Sequence, residues 1–123
     1  MKACRIINIK AGLLGGLSQA LEVHDLCRSQ GIAVWCGGML ETGVGRASNL
    51  ALAALPGFSL PGDISASNRY YVRDITADNF SLNAGSTIDV PEGPGLGITI
   101  DGDALRQYTL DSIVLDQKSL AVS

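Results

Sequence analysis

Three residues of this chain combine a reactive type with a position where chemistry could be done. Lys10 closes the β-branched run Arg5-Ile6-Ile7-Asn8-Ile9. Glu41 follows the apolar run Ile32-Ala33-Val34-Trp35-Cys36 and the pair Gly37-Gly38, and Asp63 follows Phe58-Ser59-Leu60 and Pro61-Gly62. At the mouth of a sheet, loss of hydration and nearby cations favour the free amine of a lysine, the form that takes a proton. Carboxylates at neighbouring strand ends can anchor a substrate or move protons. Each residue also has a structural reading: a solvent-facing strand end for Lys10, helix caps or loop braces for Glu41 and Asp63.

Other motifs carry less. Gly12-Leu13-Leu14-Gly15-Gly16 fits neither phosphate-loop nor dinucleotide-fingerprint spacing, and Gly43-Val44-Gly45 is half of one. His24 lies on the apolar side of its helix with no second histidine in the chain, and reads as a packed residue. Asp101 and Asp103 lack the downstream acidic ligands of a calcium loop and read as a turn. Cys4, Cys27 and Cys36 lack CxxC spacing, so they read as small apolar side chains and not as a disulfide framework or zinc site.

The elements that must position these residues alternate. Leu17, Ala20, Leu21, Val23 and Cys27 recur at helical spacing, which predicts an amphipathic helix from Leu17 to Gln30 ended by Gly31. Gly12, Gly15 and Gly16 predict a loop before it. A second helix is expected from about Gly45 to Leu55, stopped by Pro56-Gly57. With the runs at 5–9, 32–36 and 58–60 this makes βαβαβ, an α/β fold with parallel strands and right-handed crossovers. In such folds sites form at the carboxyl ends of the strands, which is where Lys10, Glu41 and Asp63 fall. Beyond about residue 75 the pattern changes. Phe80–Asn83, Thr87–Val90, Ile98–Ile100 and a segment near Ser112–Leu115 read as short antiparallel strands. The expected division is therefore a βαβαβ portion at 1–75 and a β-rich tail at 76–123.

Composition bounds the rest. The 123 residues suit one ordinary domain, with 46% apolar and 17% charged residues. A net charge of −3 without any basic run excludes an electrostatic nucleic-acid surface. No stretch is apolar enough for a membrane span, and Met1-Lys2-Ala3-Cys4-Arg5 does not open a signal peptide. A cytoplasmic location is expected.

Four segments then resemble one family: Asn8 to Gly16, His24 to Cys27, Val34 to Gly43 and Leu60 to Ser67, with Val90-Pro-Glu-Gly-Pro-Gly-Leu-Gly97 behind them. They are similar to the C-terminal part of the o-succinylbenzoate synthase / N-acylamino acid racemase group, in the muconate-cycloisomerase branch of the enolase superfamily. Ala11 and Leu13 depart from that pattern, where proline and a basic residue are frequent. The resemblance implies a (β/α) barrel with Lys10 as a catalytic lysine. It implies substrate contacts at Gly38, Met39, Leu40 and Tyr70, with Glu41 and Asp63 in supporting roles. It also implies Mg²⁺ or Mn²⁺ and a small carboxylate substrate, with metal-assisted proton abstraction next to the carboxylate. A complete barrel takes about 250 residues, and the family's acidic metal ligands and partner lysine have no match here. The chain is therefore expected to be inactive and metal-free on its own, as part of a longer enzyme, a split-gene product or a late-called start. Muconate cycloisomerase and dipeptide epimerase are alternatives within the family. A non-catalytic remnant and a small-molecule-binding module are the alternatives outside catalysis. Strands taken from a barrel keep open edges, so a homo-oligomer joined through residues 5–9 or 58–60 is expected, with Ile7, Ile9, Val34 and Cys36 facing the barrel interior.

Overall fold

Strand β1, Ile6–Ile9, lies parallel to strand β2, Ala33–Cys36, with Ile6 opposite Ala33 and Ile9 opposite Cys36. The computed structural model describes residues 3–114. The register brings Lys10 and Gly37 level at the carboxyl ends of the two strands. The third run contributes one parallel bridge, Val34 to Phe58, and no strand. Pro56 and Pro61 bracket it, and each removes a donor that a longer ladder would need. The expected three strands are thus two, with a single-bridge neighbour.

Lys10 is followed at once by a short helix, α1 (Ala11–Leu14), where a loop was expected. The amides of Leu13 and Leu14 donate to the Lys10 carbonyl, and Gly15 ends the turn at φ 96°. A side chain there would be strained, so glycine fits the stop. Helix α2 (Leu17–Ser29) buries Ala20, His24 and Cys27, close to the expected limits. Helix α3 (Gly43–Ala53) starts two residues earlier than its periodicity suggests. Its first amide, that of Gly43, is taken by the Asp74 carboxylate at 2.9 Å, a partner far away in sequence.

Alternation along the strands decides which side chains meet the helices. Ile9, Val34 and Cys36 are fully buried against Ala20, Cys27 and Leu52, with Ile7 beside them. These four residues were expected to face the barrel interior; they face the helices instead. The opposite set, Ile6, Asn8, Ala33 and Trp35, lies on the uncovered face, and Ile6 is 55% exposed. A hydrophobic run does not say which of its two faces is covered by helix, and here the helices cover the face of Ile7, Ile9, Val34 and Cys36.

The expected antiparallel strands at 80–83, 87–90 and 98–100 do not form. One antiparallel bridge, Thr76 to Ile100, stands in their place. Side chains take the backbone groups that a ladder would use. Asn83 Oδ1 accepts from the amide and hydroxyl of Thr87, and Asp78 accepts from the Thr99 amide. The Asp101 turn opens helix α4 (Gly102–Tyr108), whose amides at Asp103 and Ala104 it caps at 3.0 Å. Ser112–Val114 is not a strand, and Leu115 lies outside the described residues. Phe80 packs with Ala47 and Leu50 of α3, which ties the irregular segment to the helical layer. Among the described residues no helix is long and apolar enough to cross a membrane.

Candidate active site

The loop 38–41 after β2 is the centre of the candidate site, because five side chains hold its backbone. The Lys10 ammonium donates to the Gly38 carbonyl at 2.5 Å. The Gly38 amide donates to Asp63 Oδ1 at 2.5 Å, and the Met39 amide donates to Glu41 Oε1 at 2.7 Å. The Tyr71 hydroxyl donates to the Leu40 carbonyl at 2.6 Å, and Arg46 Nη2 donates to the Glu41 carbonyl at 3.0 Å. Such a loop has few ways to move, and it leaves Met39 47% and Leu40 70% exposed. Two apolar side chains thus stand exposed on the loop that the lysine holds.

Beneath the loop, Arg46 is fully buried on α3. Its Nε donates to the Ser65 carbonyl at 2.6 Å, and its Nη1 donates to Ser67 Oγ and to Asp74 Oδ2 at 3.2 and 3.3 Å. The guanidinium therefore joins the loop after β2, the segment after the third run and Asp74. A cleft of about 470 Å³ opens between α1 and α3, walled by Ala11, Gly12, Met39, Leu40, Glu41 and Asn49. Lys10 is not one of its walls and adjoins it through Ala11.

The structure brings Lys10, Gly38, Met39, Glu41 and Asp63 into one hydrogen-bonded group, with Leu40 fastened by Tyr71. Tyr70 stands apart. Its hydroxyl pairs with Ser65 Oγ, and its ring lines a separate cleft with Thr42, Tyr71 and Tyr108. Arg46, Asn49, Tyr71 and Asp74 were not foreseen. One signal was available: Arg46 is the only charged residue in the helix Gly-Val-Gly-Arg-Ala-Ser-Asn-Leu-Ala-Leu-Ala.

Comparison with known proteins now decides the family. Residues 1–104 match the model of the enolase C-terminal domain-like family. The chain belongs to that family. It is 49% identical over 115 residues to the o-succinylbenzoate synthase of Bacillus subtilis, covering 94% of this chain and 31% of that protein. It is 54% identical over 107 residues to the N-succinylamino acid racemase of an Amycolatopsis species, covering 87% of this chain and 28% of that one. A solved enolase-superfamily member from Listeria innocua superposes with a TM-score of 0.83 at 50% identity, over 89% of this chain and 29% of that chain. The chain thus spans less than a third of the length of these relatives.

In this enolase-type domain the divalent metal implied by the resemblance finds no fit. Among the described residues no three His, Cys, Asp or Glu side chains come together to hold an ion. Glu41 and Asp63, the carboxylates nearest Lys10 in the network, accept from peptide amides instead. Cys36 lies under the same rim, its thiol pushed up to about 11 by burial and then by the charges of Glu41 and Asp63, against the opposing Lys10. A thiol so held is inert at neutral pH. His24 is a packed helix residue: its ring stacks on Phe58 at 5.3 Å and Nδ1 meets Asp25.

Proposed function

We propose that Lys10 moves a proton at the carbon α to a substrate carboxylate, in an active site of the o-succinylbenzoate synthase and N-succinylamino acid racemase kind. The supporting observation is the placement of its ammonium, at a strand's carboxyl end against the braced Gly38–Glu41 loop. Gly38, Met39 and Leu40 border the substrate, Glu41 and Asp63 brace the loop, and Tyr70, in its separate cleft, is left out of the substrate site. In a racemisation the free amine takes the α-proton while the C–H electron pair passes into the carboxylate as an enediolate. A proton returned on the opposite face inverts the centre. In a syn dehydration Lys10 stays an ammonium and steadies the anion, while a second group takes the proton and delivers it to the departing hydroxide as water.

Among the described residues Lys10 is the one group placed for such chemistry, so this reading assigns turnover to the chain joined to the remaining barrel. In this reading residues 1–75 are the barrel portion and 76–123 the tail that packs with the cap. The test assays the chain alone and the chain joined to the preceding two-thirds of the Bacillus subtilis relative. Substrates are the precursor dehydrated to o-succinylbenzoate and an enantiopure N-succinylamino acid. The joined protein should turn over at least one of them, and the chain alone neither. A folded joined protein inactive on both would overturn the assignment.

Assembly is a second proposal. The outer edge of β1 and the face bearing Ile6 and Trp35 are uncovered, and each large aliphatic side chain left in water forgoes roughly 1.5–3 kcal/mol. The chain alone should therefore form a homo-oligomer in solution. Light scattering at micromolar concentration should give a mass of at least twice the 12.8 kDa of one chain; a folded monomer would contradict it.

A further inference from the structure

We propose that Glu41 is a positioning residue for Lys10, acting on it through one peptide group; this rests on the role given to Lys10 above. The peptide joining Gly38 to Met39 is held at both ends. Its carbonyl accepts from the Lys10 ammonium at 2.5 Å, and its N–H donates to Glu41 Oε1 at 2.7 Å. A peptide is a rigid plane, so turning either end turns the other. A cation at the carbonyl and an anion at the N–H both align with the peptide dipole, and each hydrogen bond polarises the group in favour of the other. Among the described residues Lys10 makes no ion pair with any carboxylate, so this plane is its bonded link to a negative charge.

Glu41 is itself fixed. Its Oε1 also accepts from Asn49 Nδ2 at 2.8 Å, one turn along α3 from Gly45. At Gly45 a Cβ would lie 2.9 Å from Glu41 Cβ and Cγ, so the absent side chain leaves the groove in which the Glu41 stem rests. Asp63, Tyr71 and Arg46 hold the flanking backbone groups. The 38–39 plane is then the part of the loop whose tilt Glu41 alone sets, opposite the lysine. Helix α3 thereby fixes where the ammonium points without touching it.

The test has two readouts. In the ¹⁵N-labelled chain, Lys10→Met should move the Met39 amide proton upfield, although Met39 does not touch Lys10. Glu41→Ala and Gly45→Ala should both shift the Lys10 side-chain nitrogen signal, and Glu41→Gln, which keeps an acceptor, should shift it less. In the joined enzyme Glu41→Ala should lower kcat by about 10²-fold through misplacement of the lysine, with KM within about twofold and partial rescue by Glu41→Gln. If the Met39 amide ignores Lys10→Met, or the lysine signal ignores both Glu41→Ala and Gly45→Ala, the link does not exist. A rise in KM with kcat unchanged would make Glu41 a substrate contact and overturn the positioning role. Intact spectral coupling in a joined enzyme without activity would instead sink the assignment of function and leave this link standing.

Discussion

Lys10→Ala in the joined, catalytically complete protein lowers kcat by at least about 10³-fold and leaves the fold intact. The loss is large because no other lysine, histidine or free carboxylate in the described network stands in for the ammonium. The fold survives because Lys10 serves α1 through its backbone: its carbonyl accepts from Leu13 and Leu14, and alanine offers the same carbonyl. Its side chain is only half-buried, so little packing goes with it. Lys10→Arg should fail almost as badly, since a guanidinium stays charged and does not take a proton near neutral pH. Steady-state kinetics on both substrates check this, with circular dichroism to show that the variant is folded. A loss under tenfold would reduce Lys10 to a strand end.

Arg46→Met should be the most damaging single change to stability, costing about 3–5 kcal/mol. The guanidinium is 1% exposed, and Asp74 behind it is nearly as buried, with a side chain 5% exposed. Removing the cation leaves a buried carboxylate with only the Gly43 and Ile75 amides for company. It also frees the carbonyls of Glu41 and Ser65 from their donor and leaves the Ser67 hydroxyl with the Phe80 amide alone. A small domain has only about 5–15 kcal/mol to lose. Urea titration of the wild-type chain and the variant gives the difference as a fall in midpoint. Adding Asp74→Asn to Arg46→Met should recover part of it, because the uncompensated charge is then gone. If the two changes simply add, the pair is not what holds these segments together.

The sequence displays α2 and the two strands because each rests on local pattern: Ala20 and Cys27 at helical spacing, and apolar runs bounded by glycine. Lys10, Glu41 and Asp63 were legible as a rim because strand ends in a parallel sheet converge. What the residues do there was not legible. Asp63 and Glu41 bind amides of a loop whose conformation only tertiary contacts define. Arg46 sits in a helix where a charge ordinarily faces solvent, and its partners Ser65, Ser67 and Asp74 come from later segments. The tail misled for a related reason. Thr87–Val90 and Ile98–Ile100 alternate as strands do, yet Asn83 and Asp78 capture the amides that would have formed the ladder. Asp101 looks like a turn because a cap and a turn begin alike; the helix after it is only seven residues long.

The one-sided packing of β1 and β2 bears on how such barrels can be recombined. Everything that shapes the lysine loop travels on residues 10–74: the lysine, its peptide, the glutamate, the asparagine, the arginine with its aspartate, and the tyrosine. The side that must agree with a host consists of the positions pointing the other way, Ile6, Asn8, Ala33 and Trp35. A graft therefore faces a seam of a few side chains, of which Trp35 is the bulkiest and the first to be matched. A host that presents small residues opposite Trp35 can receive this cassette with its loop hydrogen bonds already assembled, and inherit the loop by transplantation instead of by redesign.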